Sequence, residues 1–127
     1  MKQIIFSLFL ILLFSSCEKE SDHPLIGNWR LVKGYDLMVG GYHDIPIEDQ
    51  RFEEYTKHKI RIQSDLDGTE ISRCNYSVTE ETITIYGENL DGSDWSFQYR
   101  YWFAHDTLAI KHDGGFEYYN EYFIREN

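Results

Sequence analysis

The residue types in this chain that most often do chemistry are histidines, cysteines and carboxylates. The five histidines do not occur at the H-x-x-x-H or H-E-x-x-H spacings that place zinc ligands together, so we expect no metal site. His105 and His112 each precede an aspartate that could orient an imidazole, but solvation at a turn is the simpler interpretation. The histidines are His23, His43, His58, His105 and His112.

The carboxylates and possible nucleophiles give no catalytic pattern either. Asp65 and Asp67 form half of a calcium loop that lacks the later glutamate. The segment 48–54 could hold an acid/base pair, but carboxylates at this density are typical of a solvated face. Cys74 has no activating partner in the sequence, and neither a G-x-S-x-G motif nor a glycine-rich phosphate loop is present. We therefore expect no enzyme and no cofactor.

One stretch, from residue 95 to residue 103, points to a binding site. Five of its aromatic residues share one face of a strand, against Ser96, Gln98, Arg100 and Trp102 on the other: Trp95, Phe97, Tyr99, Tyr101 and Phe103. With room inside the fold, a pocket for a small apolar or ring-bearing ligand would be lined by Trp29, Phe97, Tyr99 and Tyr101. Without room, the same side chains fill the interior of a small barrel, and the shortness of the domain favours filling.

Strands must position these residues. Period-two alternation and turn residues predict about seven or eight antiparallel strands, and three Asp-Gly pairs supply hairpin turns. In the strand 56–63 we expect Ile60 and Ile62 to face inward and Arg61 and Gln63 outward. The other strands are expected at 27–39, 69–78, 82–86, 95–103, 107–111 and 116–125. An all-β, up-and-down barrel is favoured because closure removes the sheet edges.

The segment from Tyr42 to Tyr55 has no clear pattern. Carboxylates soon after Pro46 could begin a short helix, and an irregular loop is equally compatible with the sequence. A long loop in a compact domain is often functional, so this segment is a candidate lid or contact surface.

The first residues read as a signal peptide. Lys2 is followed by an apolar run and then by small residues before Cys17, and the run is too short for a transmembrane helix. A buried core helix is the alternative, but acidic residues follow at once. We expect a signal peptide at 1–16, a polar tether at 17–24 and one domain at 25–127.

The net charge limits which partners the protein can bind, and the number of cysteines limits which disulfides it can form. Removal of residues 1–16 takes away Lys2 and leaves 11 basic residues against 22 acidic ones, a formal charge of −11. This balance argues against nucleic acid and against broad contact with an anionic membrane, and it keeps the domain soluble. If the thiol of Cys17, at the end of the signal peptide, is modified, Cys74 is the one free cysteine left. No internal disulfide can then form.

The run 14–17 resembles the lipobox of bacterial lipoproteins, in which the cysteine thiol carries the lipid. Cys17 would then hold the protein on a membrane, and an unlipidated secretory signal is the alternative. The acidic residues that follow resemble the surface-export tethers of Bacteroidota lipoproteins, which favours the outer membrane and surface exposure.

The segments 25–29, 76–78, 106–110 and 122–125 together resemble the lipocalin-like domains of Bacteroidota lipoproteins. The resemblance covers essentially the whole mature chain and implies a calycin-like β-barrel. It also implies that Trp29 and Arg125 pack together at the closed end.

These observations predict a lipid-anchored binding protein of the cell envelope. Its ligand would be a small apolar compound held in the barrel. The alternative is an accessory or inhibitor lipoprotein that binds an envelope protein through its acidic surface and the 42–55 loop.

Overall fold

The computed structural model describes residues 22–36, 38, 40–112 and 119–126. These residues form β-strands joined by short turns, with one turn of 3-10 helix at Ile47–Asp49. The strands are β1 (Gly27–Asp36), β2 (Gly41–Asp44), β3 (Arg51–Tyr55), β4 (Ile60–Asp65), β5 (Glu70–Val78), β6 (Thr82–Glu88), β7 (Asp94–Ala104), β8 (Thr107–His112) and β9 (Tyr119–Glu126). The predicted signal peptide, Cys17, most of the predicted tether and the third Asp-Gly pair lie outside the described residues.

The strands close into an antiparallel barrel. From β3 to β9 each strand pairs with the next along the chain, and β1 pairs with both β3 and β9. Eight strands thus form the barrel, and β2 is an extra strand that pairs with β1 at 33–36, beyond the end of the β1–β3 ladder. The prediction of an all-β, up-and-down barrel is confirmed.

Turn chemistry explains the hairpins. Gly68 and Gly92 have φ values of +90° and +86°, a region that a side chain disfavours, and each follows the aspartate that sequence reasoning placed in the turn. The side chains of Asp67 and Asp91 accept hydrogen bonds from the backbone two residues further on, at 2.9 Å in both cases. Local sequence is therefore sufficient to set these two turns.

Large side chains fill the closed end of the barrel. Trp29 is 1% exposed, and its indole Nε1 donates to the carbonyl of Leu25 at 2.9 Å, so that the segment before β1 plugs this end. Tyr55 and Tyr76 meet edge to face with ring centroids 5.2 Å apart. The fully buried Phe123 completes this core, which agrees with the expectation that aromatics fill a small barrel.

The segment 42–55 is more regular than the sequence indicated. The helix prediction holds for a single 3-10 turn, and the irregular-loop interpretation is wrong from Arg51 onward because β3 pairs with both β1 and β4. Glu53 and Tyr55 on this strand are 1% and 2% exposed, so the last five residues of the presumed lid are barrel wall.

The faces of β4 are the reverse of the prediction. Arg61 lies opposite the buried Tyr55 and Gln63 opposite the buried Glu53, whereas Ile62 pairs with the exposed Glu54. The aliphatic residues of β4 therefore face outward. The physical reason is the register of β4 against β3, which places Arg61 inside the barrel, where it forms an ion pair with the buried Glu53.

Candidate functional site

The barrel is open at the end opposite Trp29, where a cavity of about 430 Å³ enters its interior. The first residues of β3, β5, β7 and β9 and the last residues of β4 and β8 surround this mouth. The lining residues are Arg51, Arg61, Gln63, Ser72, Arg73, Cys74, Ile85, Trp95, Phe97, Tyr99, His112, Tyr119 and Glu121. The cavity thus combines aromatic walls with a charged floor.

The aromatic wall comes from β7, β8 and the first residue of β9. Trp95 and Phe97 have ring centroids 5.8 Å apart, and Phe97 at the rim is 58% exposed. The indole of Trp95 lies against Gly87 on β6, where an added Cβ would come within 2.8 Å of the ring. Deeper in the cavity, the ring of His112 is 4.6 Å from Tyr99 and stacks on Tyr119 at 4.4 Å. These rings form apolar surfaces that suit a planar ligand.

At the base of the floor, Arg61 is bound to the buried Glu53. Its Nε donates to Glu53 Oε1 at 3.2 Å, and its Nη2 makes a shorter contact with the same oxygen. Burial alone would lower the pKa of Arg61, but the charge of Glu53 outweighs this and raises it, so the guanidinium remains charged. For the neighbouring Tyr55, burial disfavours the charged form and therefore raises the pKa.

A second ion pair lies nearer the mouth. Arg51 Nη2 donates to Glu121 Oε2 at 2.9 Å, and His112 Nε2 lies 2.6 Å from Glu121 Oε1. Burial would raise the pKa of Glu121, but the hydrogen bond from His112 and the charge of Arg51 outweigh it and lower the pKa. Glu121 is therefore ionised, and both of its oxygens are occupied.

Gln63 joins the two ion pairs. With its amide oxygen turned toward the arginines, it accepts from Arg51 Nε at 3.2 Å and from Arg61 Nη2 at 2.9 Å. Its amide nitrogen then donates to Ser72 Oγ at 2.6 Å. The opposite orientation would set donors against donors, so the hydrogen bonds determine the assignment.

The cavity is equipped for recognition more clearly than for catalysis. An imidazole held by a carboxylate, as in His112 and Glu121, can act as an acid or a base. However, among the described residues no serine or cysteine donates a hydrogen bond to His112, and Ser72 is engaged with Gln63. In the same part of the chain no group of three or more histidine, cysteine, aspartate or glutamate side chains is placed to hold a metal ion.

The predicted site residues divide between the two ends of the barrel. Phe97 and Tyr99 line the mouth, whereas Trp29 and Tyr101 are buried in the core, where Trp29 packs against Phe103 at 5.9 Å. Ligand binding by Trp29 and Tyr101 stays a prediction, and the cavity at the mouth gives it no support. The hydroxyl of Tyr101 donates to the carbonyl of Thr79 at 2.6 Å, a structural contact.

Sequence reasoning missed the charged floor. Its residues are Arg51, Glu53, Arg61, Gln63, His112 and Glu121. A signal was present, because Glu53 and Glu121 each alternate with a large aromatic on the same strand face, two residues before Tyr55 and Phe123. A carboxylate on the same face as a core aromatic must point inward and therefore requires a cation.

A wider depression of about 1300 Å³ lies mainly over the outer face of β6 to β9. Exposed, outward-facing side chains such as Gln98, Arg100 and Trp102 line it together with the predicted site residues Tyr99 and Tyr101. Because the outward-facing groups are already in contact with water, the depression offers less desolvation than the mouth, and we place the candidate site in the barrel.

Comparison of the chain with known protein families, with curated proteins and with solved structures finds no match. The described residues include no helix that is sufficiently long and apolar to span a bilayer.

Proposed function

We propose that this chain is a lipid-anchored, lipocalin-like binding protein of the bacterial cell envelope that takes a small ligand into the open end of its barrel. The observation that carries the proposal is the cavity of about 430 Å³, which is within the size range of small-molecule sites. Its charged floor changes the expected ligand from a purely apolar compound to a ring-bearing one with a polar group.

The path of the chain before β1 supports this arrangement. Pro24 is held at the closed end, where its carbonyl accepts a hydrogen bond from Arg125 Nη2 at 2.6 Å. The mouth opens at the other end of the barrel, around the first residues of β9. A lipid on Cys17 would therefore attach on the side away from the mouth, which leaves the ligand entrance directed toward the surroundings.

Ligand binding in the cavity can be tested by filling the cavity with a large side chain. Ser72 faces the cavity, whereas Ser77 on the same strand pairs with Thr84 and faces outward. We expect native mass spectrometry of the full-length protein, purified from its membranes, to detect a bound small molecule. Ser72→Trp should lose this molecule and Ser77→Trp should keep it. Retention of the ligand by a folded Ser72→Trp variant would exclude the mouth as its site.

The anchor is tested separately. The Cys17→Ser protein should lose the lipid mass and leave the membrane fraction, whereas Cys74→Ser should keep both. Cys74 is the matched control because it is the other cysteine of the chain. A Cys17→Ser protein that stays in the membrane fraction with unchanged mass would contradict lipidation.

The alternative function, binding to an envelope protein, is supported by the surface beside β2. Tyr42 and Ile47 are each 69% exposed, next to a strand that pairs with β1 on only one side among the described residues. Exposed apolar groups beside a sheet edge are suited to protein contacts. If this surface binds a partner, Ile47→Ser should reduce recovery of that partner from cross-linked envelopes, whereas Ser77→Ala should not.

A further inference from the structure

At the floor of the mouth, the hydrogen-bond acceptors that line the cavity have partners, whereas one hydrogen-bond donor has none among the described residues. Both oxygens of Glu121 accept hydrogen bonds, and the amide oxygen of Gln63 accepts two. By contrast, Arg51 uses Nε and Nη2, and its Nη1 has no partner among the described residues. The carboxylate and amide acceptors that line the cavity thus each already have a donor, whereas one arginine N–H group has no acceptor among the described residues.

Tyr99 adds a second donor. Its ring lines the cavity, and its hydroxyl has no hydrogen-bond partner within the part of the chain that the structure describes. Tyr99 lines the cavity together with Arg51, Arg61 and Glu121, and burial raises the pKa of its hydroxyl. The hydroxyl thus keeps its proton and can donate.

The charge of the floor permits an anion. Arg51 and Arg61 balance Glu53 and Glu121, so this local group is neutral before His112 is counted, although the chain as a whole carries −10. Glu53 is 1% exposed and does not line the cavity, and its Oε2, 3.8 Å from Arg51 Nη2, accepts no hydrogen bond from the described residues. Oε1 of the same carboxylate binds Arg61, and Oε2 is not presented to a ligand because Glu53 does not line the cavity.

We propose that the ligand of the mouth is a small ring-bearing carboxylate that enters with its carboxylate first. The carboxylate accepts hydrogen bonds from Arg51 Nη1 and the Tyr99 hydroxyl, and the ring lies against Trp95 and Phe97. This inference rests on the proposed function, since it names the class of compound that the same cavity takes.

Other head groups fit the floor less well. An ammonium group requires acceptors, and those on the cavity surface already accept hydrogen bonds from His112, Arg51 and Arg61. A neutral amide satisfies the donors but forms weaker hydrogen bonds with a guanidinium than a carboxylate does. The floor therefore selects for an anion.

Three naphthalene compounds that differ in their head group test this selection by isothermal titration calorimetry on the full-length protein. They are naphthylacetate, naphthylacetamide and naphthylethylammonium. Charge-assisted hydrogen bonds between two ionised groups are stronger than those to a neutral amide, so naphthylacetate should bind about five- to tenfold more tightly than naphthylacetamide. Naphthylethylammonium should bind more weakly than both.

Gln63→Glu provides the variant test. The new carboxylate would accept from Arg51 and Arg61 in place of the amide oxygen, so the fold should be kept while the floor gains a negative charge. We expect Gln63→Glu to weaken naphthylacetate binding by about tenfold or more and to change naphthylacetamide binding little. Gln98→Glu on the outer face of β7 adds the same charge to the chain and should leave both affinities unchanged.

The outcomes separate the two proposals. If naphthylacetamide or naphthylethylammonium binds as tightly as naphthylacetate, the preference for a carboxylate is wrong and the binding function stands. If Gln63→Glu and Gln98→Glu weaken naphthylacetate equally, the anion does not reach the floor, which also overturns the inference. If none of the three compounds binds, both the inference and a ring-binding mouth are wrong.

Discussion

The guanidinium of Arg125 lies flat against the indole of Trp29, with its Cζ 4.3 Å from the ring centroid. The same side chain donates from Nη1 to the carbonyl of Ile26 at 3.1 Å and from Nη2 to that of Pro24 at 2.6 Å. The last strand of the barrel thereby holds the segment that precedes the first strand. This contact was anticipated from the lipocalin-like resemblance, and it closes the end opposite the cavity at the mouth.

Arg125→Ala should therefore destabilise the protein. A cation–π contact contributes ~0.5–2 kcal/mol, and loss of two hydrogen bonds adds to it, so we expect a loss of ~1–3 kcal/mol in the free energy of unfolding. Urea denaturation followed by tryptophan fluorescence measures this change. Arg100→Ala, which removes an exposed arginine from the outer face of β7, should stay within ~0.5 kcal/mol of wild type. Equal losses in the two variants would contradict the closing role of Arg125.

The pair formed by Glu53 and Arg61 gives a second prediction. Removal of one member of a buried ion pair typically costs ~3–5 kcal/mol, because the remaining charge is left without a partner. Glu53→Met should approach this cost, since Glu53 is 1% exposed and contacts Arg61.

The double variant Glu53→Met/Arg61→Met removes both charges and should recover much of the lost stability, to within ~2 kcal/mol of wild type. Chemical denaturation of the two single variants and the double variant completes the cycle. Additive losses in the double variant would show that the two side chains are not coupled.

Glu121 gives the barrel a pH dependence. Its pKa in the folded protein is below the ordinary value of 4.5, so between the two values the unfolded chain binds more protons than the folded one. The stabilisation from Glu121 is thus fully present above about pH 4.5 and is lost as the pH falls through the folded pKa.

Glu121→Gln should consequently be less stable than wild type at neutral pH, and the difference should shrink as the solution is made acidic. The measurement is the free energy of unfolding of both proteins across the acidic range. A difference that stays constant with pH would mean that Glu121 is not held ionised by Arg51 and His112.

Local pattern was sufficient to predict the strands whose inner face is apolar. Ile83 and Ile85 on β6 and Leu108 and Ile110 on β8 are buried as expected, because period-two alternation in these strands places aliphatic side chains on one face only. The inward face of β7 was predicted for the same reason.

The inward orientation of Arg61 could not be predicted from β4 alone. On β4 the aliphatic residues and the charged ones alternate equally well, and the local rule places Arg61 in water. What reverses the choice is Glu53 on the neighbouring strand, buried by the register of β3 against β1 and β4. Such pairing depends on the closed barrel, which has no signature within a short window of sequence.

β7 carries the sharpest test of the mouth, because it places two tryptophans on opposite faces. Trp95 lines the cavity beside Phe97, whereas Trp102 pairs with Ala109 on the outer face and is 40% exposed. Contacts between aromatic rings contribute ~0.5–1.5 kcal/mol, so Trp95→Ala should weaken naphthylacetate binding by about two- to tenfold. Trp102→Ala removes a side chain of the same type from the same strand and should leave the affinity unchanged. Calorimetric titration measures both, and circular dichroism confirms that each variant is folded. Equal losses in the two variants would mean that the ligand does not contact the inner face of β7, since only one of these indoles lies on it.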